Sequence, residues 1–168
     1  FEYLLSTDLI KKLDENQNEL SLLSSNFILL DINHNHNYNL VSDALEQILD
    51  FRMIPIISHP ERFEILNKER IFELKDKGIL FQLSLGSFSS FFDKEIEKKS
   101  KDFLEIGIYD FIATDSINYY QMNNSFIENK IESVSKIIGS QKLNEIFLEN
   151  PKNVTDQKSS NDFQISRH

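Results

Sequence analysis

Met53-Ile54-Pro55-Ile56-Ile57-Ser58-His59-Pro60-Glu61-Arg62 runs from an apolar stretch straight into an imidazole, a carboxylate and a guanidinium. A strand with no polar interruption is buried on both faces, which is the habit of parallel sheets covered by helices. In α/β barrels the chemistry sits where such strands end. His ligates metals as the neutral imidazole, and Arg forks onto phosphate with two parallel hydrogen bonds. Pro60 fixes its own φ and biases His59 toward extended backbone, so His59 is expected to point off the strand end rather than open a helix. Taken alone, these residues fit equally a loop with an exposed Glu–Arg pair and a packed His.

Three further runs share the apolar, β-rich character of Met53–Ser58: Phe27–Ile32, Ile79–Leu85 and Tyr109–Thr114. The four starts are 26, 26 and 30 residues apart. Between them lie segments of helical period. Leu40, Ala44, Leu45, Ile48 and Phe51 share a face, and Ile71, Phe72 and Leu74 open another that Gly78 stops. Lys94 to Ile106 carries Ile96, Phe103, Leu104 and Ile106 as its apolar stripe and ends at Gly107. Helices are also predicted over Asp8 to Leu13, with Ser6 or Thr7 as N-cap, and over Ser125 to Ile138 and Gln141 to Leu148, broken at Gly139 and stopped before Pro151. Strand–helix repetition at this spacing gives an α/β fold with about four parallel strands. Four strands cannot close a barrel, so the sheet is either open or the back portion of a barrel.

The 168 residues fit one domain, with 40% hydrophobic and 27% charged residues as in globular proteins. A net charge of -9 argues against nucleic acid and against docking on anionic lipid. No apolar run reaches the roughly 18–20 residues of a membrane span, so no membrane insertion is expected. The absence of Cys excludes disulfides and thiol chemistry and suits a reducing, cytoplasmic setting. Phe1-Glu2-Tyr3-Leu4-Leu5 reads like the middle of a domain rather than a signal peptide, so the chain is expected to be incomplete at its start. Residues 1–154 form the expected domain and 155–168 a polar, disordered tail. An open sheet would leave edges and apolar surface exposed, which predicts poor solubility or a homo-oligomer.

Polar residues at strand C-termini are the functional candidates: Asp31, His59, Ser84 with Ser87, and Asp115. Two carboxylates and an imidazole on adjacent strand ends make a mixed N/O site for Mn, Fe or Zn. A metal there would polarise a phosphoryl oxygen and lower the pKa of bound water. The alternative for each Asp is that it caps the following helix; beside His59-Pro60-Glu61-Arg62 the site reading leads. His34-Asn35-His36 has spacing that lets alternate side chains reach one metal, but its Asn-rich setting, Asn33 to Asn39, favours a surface loop. Phe88, Phe91 and Phe92, among Ser87, Ser89 and Ser90, read as packing beneath the next helix, with a lid or substrate wall as the alternative. Tyr119 and Tyr120 read as loop aromatics.

The chain resembles the capsular-polysaccharide type of bacterial protein-tyrosine phosphatase, in the polymerase-and-histidinol-phosphatase (PHP) superfamily. Ile54-Pro55-Ile56-Ile57-Ser58-His59-Pro60-Glu61-Arg62-Phe63 is similar to that family's Ile-Pro-Val-Leu-Ala-His-Pro-Glu-Arg-Tyr signature. Glu2-Tyr3-Leu4-Leu5 resembles its Glu-Tyr strand end, and Leu29-Leu30-Asp31 its Leu-Val-Glu strand. Leu74 to Leu83 with Ser87, Asp110 to Asp115, and Glu149-Asn150-Pro151 carry the likeness to about Asn150. The resemblance implies a seven-stranded β/α barrel with a multi-metal centre, usually manganese or iron. It implies dephosphorylation of the phosphotyrosine tails of bacterial tyrosine kinases that govern capsule and exopolysaccharide export.

Carried over by position, Glu2, His59 and Asp115 match metal ligands, and Arg62, with His59, matches the catalytic phosphate side. Asp31 stands where the family has Glu, and Asp31, Glu61 and Ser87 would line the site. The chain also departs from the pattern. The family's opening His-x-His strand and Asp-Asp-Gly loop would precede Phe1, and His34 and His36 follow a later strand. Its closing Asp-x-His-Asn reads Asp115-Ser116-Ile117-Asn118, and a familiar Asn is Ser84. These departures predict an N-terminally truncated, partly degenerate copy with an incomplete metal cluster. Two alternatives stand beside the phosphatase: a non-catalytic protein that docks phosphotyrosine through Arg62, and a PHP phosphoesterase acting on a small ester such as histidinol phosphate.

Overall fold

The apolar runs become the sheet of the computed structural model, whose described residues are 1–88, 93–114 and 124–156. Among them, five parallel strands pair in chain order: β1 (Tyr3–Leu4), β2 (Phe27–Asp31), β3 (Ile54–Ser58), β4 (Leu80–Ser84) and β5 (Phe111–Ala113). The four strands expected from sequence are therefore five. β1 carries no periodicity of its own, since it is two residues long, and it is defined by its register against β2, Tyr3↔Leu30 and Leu4↔Asp31.

The helices between the strands start at side-chain caps. Ser6 accepts from Leu9 N at 3.2 Å to open α1 (Thr7–Glu15), which is followed by α2 (Gln17–Leu20). Asn37 and Asn67 each accept at 3.0 Å to open α3 (Tyr38–Asp50) and α4 (Lys68–Asp76). Asp93 opens α5 (Lys94–Glu105) in the same way. α6 (Asn124–Asn144) is kinked where Gly139 takes φ 79°. The chain then passes through a π-helical turn, Glu145–Glu149, into α7 (Asn150–Thr155). Pro151, expected to end the helix, sits instead in the first turn of α7, directly after the π-helical turn. No described helix is long and apolar enough to cross a membrane.

Because side chains alternate across a strand, each face of the sheet has its own core. Ile28, Leu30, Ile57, Phe81, Leu83 and Ile112 point toward the helices and pack with Leu9, Leu13, Val41, Leu45, Ile48, Ile71 and Leu74. Burying each such side chain contributes about 1.5–3 kcal/mol. Leu40, read from sequence as part of the α3 stripe, is 57% exposed, and Val41 takes the buried position. Phe72 is likewise outward on α4. On the opposite face a smaller cluster gathers Phe27, Ile54, Ile56, Leu80 and Phe111, covered by Leu22 and by Val154 from α7.

Candidate metal centre

Along that second face the same alternation continues toward the strand C-termini, and the chemistry changes. Phe27 and Leu29 give way to Asp31, Ile54 and Ile56 to Ser58, and Leu80 to Gln82 and Ser84. The sheet thus has an apolar lower half and a polar upper edge.

At that edge one ligand atom each from Glu2, Asp31 and His59 lie within 4.8 Å of one another. His59 Nε2 is 3.3 Å from Glu2 Oε1 and 3.8 Å from Asp31 Oδ1, and 3.2 Å from Ser58 Oγ. Ser58 is itself fixed by donating to Leu30 O at 2.9 Å. The hydrogen bond with His59 holds the Glu2 carboxyl below its usual range, with Ser58, the His59 charge and the Arg62 charge acting the same way against partial burial. Asp31 does not cap α3: its Oδ1 accepts from the next residue, Ile32 N, at 2.8 Å, and Asn37 is the cap.

His59 corrects one expectation. Its backbone is left-handed, φ 34° and ψ 54°, rather than extended. Its N–H still pairs with Gln82 O at 2.9 Å, so the sheet continues to this residue, and its carbonyl then accepts from Arg62 N at 3.0 Å. The chain turns sharply between these two bonds, and the left-handed geometry avoids the α-region clash with Pro60. Such a conformation costs energy in a non-glycine residue and persists where its surroundings hold it.

The donor set fits a divalent cation. Ligands around a metal at about 2.1 Å lie about 3–4 Å apart, which matches the 3.3 and 3.8 Å separations here. His59 is 8% exposed; its Nε2 faces both carboxylates, and its buried Nδ1 has no hydrogen-bond partner among the described residues.

Arg62 leaves the same turn. Its Nε donates to Ser87 Oγ and its Nη2 to Ser84 Oγ, both at 2.7 Å. Glu61 is buried, 1% exposed. It accepts from Tyr109 OH at 3.0 Å and from Ser84 N at 3.4 Å. Burial pushes the Glu61 carboxyl up, opposed by its own backbone, by Ser87 and Tyr109 and by the Arg62 charge. Burial also pushes the Tyr109 hydroxyl well up. Lys99 donates to Phe63 O at 2.6 Å and braces the end of the turn from α5.

The structure therefore brings together Glu2, Asp31 and His59, and separately Arg62 with Ser84, Ser87 and Glu61. Asp115 and Ile117 lie outside the described residues, as do Ser89, Ser90, Phe91, Phe92, Tyr119 and Tyr120. Phe88 is buried in the main core. His34 is exposed and packs on Phe63, ring centroids 5.2 Å apart, and is not in the three-residue cluster. Tyr109 escaped sequence reasoning as a site neighbour. It opens an apolar run as strand residues do, and only the fold sets it under Glu61.

Fold and edge together define a parallel α/β protein with a candidate metal centre at its strand ends. The family model for capsular polysaccharide synthesis, CpsB/CapC, matches residues 1–156, and the chain belongs to that family. It is 26% identical over 160 residues to the tyrosine-protein phosphatase CpsB of Streptococcus pneumoniae, covering 91% of this chain and 65% of that protein. It is 26% identical over 124 residues to the tyrosine-protein phosphatase YwqE of Bacillus subtilis, covering 73% of this chain and 48% of that one. The chain thus spans less than two thirds of the length of either relative. Its fold matches, at a TM-score of 0.81 and 23% identity, a crystal structure from work on YwqE and S. pneumoniae CpsB, described there as unique metal-dependent tyrosine phosphatases. That match covers 94% of this chain and 64% of the other.

Proposed function

We propose that this chain acts as a metal-dependent protein-tyrosine phosphatase, hydrolysing phosphotyrosine on the tails of bacterial tyrosine kinases that govern capsule and exopolysaccharide export. The observation that carries the reading is the gathering of Glu2, Asp31 and His59 within 4.8 Å beside the turn that bears Arg62. Family membership and the names of the relatives support it. In this reading Glu2, Asp31, His59 and Asp115 hold manganese or iron in a centre with fewer ligands than the family pattern, and the protein works in the cytoplasm.

A bound divalent cation supplies Lewis acidity toward a phosphoryl oxygen and toward water. Arg62 orients the phosphate and offsets the negative charge that grows on its oxygens as the P–O bond to tyrosine breaks. Ser84 and Ser87 keep the guanidinium in place while this happens. Glu2 stays ionised because His59 holds its pKa down, so the site keeps a negative charge to offer a cation.

The test is turnover of a phosphotyrosine peptide by the intact protein with manganese, beside Arg62→Ala and His59→Ala. Hydrolysis lost in both variants is the expected result. Absence of hydrolysis by the unmutated protein would overturn it. One observation favours a second reading: Ile117 stands where the family's closing motif has His, and isoleucine ligates no metal. A protein that binds the peptide through Arg62 without turning it over would be a non-catalytic phosphotyrosine binder. Faster turnover of histidinol phosphate would instead point to a small-ester phosphoesterase.

A further inference from the structure

We propose that His34 sets a preference for aryl phosphates, its ring packing against the phenyl ring of phosphotyrosine while the phosphate occupies the metal centre. The inference rests on the reading of Glu2, Asp31 and His59 as a centre that holds phosphate. His59, Phe63 and His34 stand in a row. The His59 and Phe63 ring centroids are 5.4 Å apart and those of Phe63 and His34 5.2 Å, the rings tilted by 44° and 49°. Both spacings are those of attractive aromatic pairs, about 4.5–7 Å. Phe63 is 1% exposed and offers a ligand no face. His34 is exposed. The row therefore starts at a metal donor and ends in an aromatic surface open to solvent.

Both ends of the row are held. After Asp31, Asn33 turns the chain: its Oδ1 accepts from Asn35 N at 2.9 Å and its carbonyl from His36 N at 3.0 Å. Asn makes such turns because its side chain imitates a backbone carbonyl. The Asn-rich loop is thus an ordered turn with His34 at its corner. Phe63 is fixed by its N–H on Pro60 O at 3.3 Å and by its carbonyl, which accepts from Lys99 Nζ at 2.6 Å. An aromatic ring seated on so fixed a neighbour has little rotamer freedom left to lose on meeting a ligand. Phosphotyrosine carries its ring one ester oxygen away from the phosphorus, so a phosphate on the metal brings that ring to the rim of the site. An alkyl phosphate puts nothing flat there and gains no aromatic pair.

The experiment titrates phenylphosphonate and methylphosphonate, which share one head group and are not hydrolysed, into the intact manganese-loaded protein by calorimetry. The parent should bind phenylphosphonate the more tightly, and inorganic phosphate should displace both. His34→Ala should weaken phenylphosphonate about three- to tenfold, the scale of one aromatic pair, and leave methylphosphonate unchanged. His34→Phe, which keeps a ring, should retain the preference. Because His34 is exposed, melting temperatures should stay near that of the parent.

Equal affinity of the parent for the two probes, equal losses for both in His34→Ala, no loss for either, or phenylphosphonate that phosphate does not displace would overturn the role of His34. Each of these leaves methylphosphonate bound, and with it the phosphate site. If His34→Ala does not fold, His34→Gln removes the ring and decides in its place. Binding of neither probe by the parent would remove the phosphate site and this inference together.

Discussion

At the scale of single residues, the molecule sets two carboxylates and an imidazole against one another, with the Arg62 charge acting on Glu2. Glu2 and Asp31 both face His59 Nε2, and a site built on two carboxylates and one imidazole binds a cation only when all are free of protons. Replacing one ligand should therefore cost far more than losing a bond in the surrounding shell, which is itself worth about 10–100-fold. The expected outcome is manganese binding, by calorimetry, that disappears in His59→Ala and weakens by more than about 100-fold in Asp31→Asn. Asp31→Glu, which keeps a carboxylate at this position, should bind. Retained tight binding in His59→Ala would mean that the cluster is only a set of neighbouring polar groups.

At the scale of elements, the site depends on how α3, α4 and the strands are locked together, and much of that locking is polar. Lys75 of α4 reaches Asp110 at 3.0 Å and Ile108 O at 2.6 Å, which ties α4 to the entry of β5. Burial pushes the Asp110 carboxyl up, and Lys75 opposes this. Between α3 and α4, Arg70 stacks over the Tyr38 ring at 4.7 Å, and Lys77 bridges Glu46 at 2.8 Å and Glu73 at 3.2 Å. Burial, then the neighbouring Glu73, raises the Tyr38 hydroxyl to about 12. An acid whose folded pKa lies above its unfolded value favours the folded state while protonated. Its contribution is complete below the ordinary value of 10.0 and is lost as pH rises through about 12. Urea midpoints of the parent and of Tyr38→Phe should accordingly differ at about pH 9 and converge by about pH 12. A constant difference would mean that the Tyr38 hydroxyl titrates alike in the folded and unfolded chain.

At the scale of the whole molecule, the sheet and its site were legible in the sequence to different depths. β2 to β5 announced themselves because strands buried on both faces have no polar interruption, and His59 and Arg62 because they end such a run. β1 gave no periodicity, since two residues have no period, and only the likeness of Glu2-Tyr3-Leu4-Leu5 to a strand end pointed to it; the pairing of Glu61 with Tyr109, 48 positions apart, was silent. The left-handed turn at His59 was hidden as well, because a preference before proline is a bias that sheet pairing on one side and Arg62 on the other can override. The role of α7 was masked by Pro151, which reads as a stop to a helix already running. Yet α7 supplies Val154, the residue that covers Phe27, Ile54, Ile56, Leu80 and Phe111 beneath the polar edge. Asp31 lies on this face of β2, and His59 follows β3 directly, so the donor spacing depends on this lower core staying closed. Val154→Asp puts a charge against five apolar side chains, and should cost about 3 kcal/mol in denaturant unfolding. It should also raise binding of a hydrophobic dye and weaken manganese binding, although Val154 touches no donor. Destabilisation with manganese affinity unchanged would show that the upper edge holds its geometry independently of the core below it.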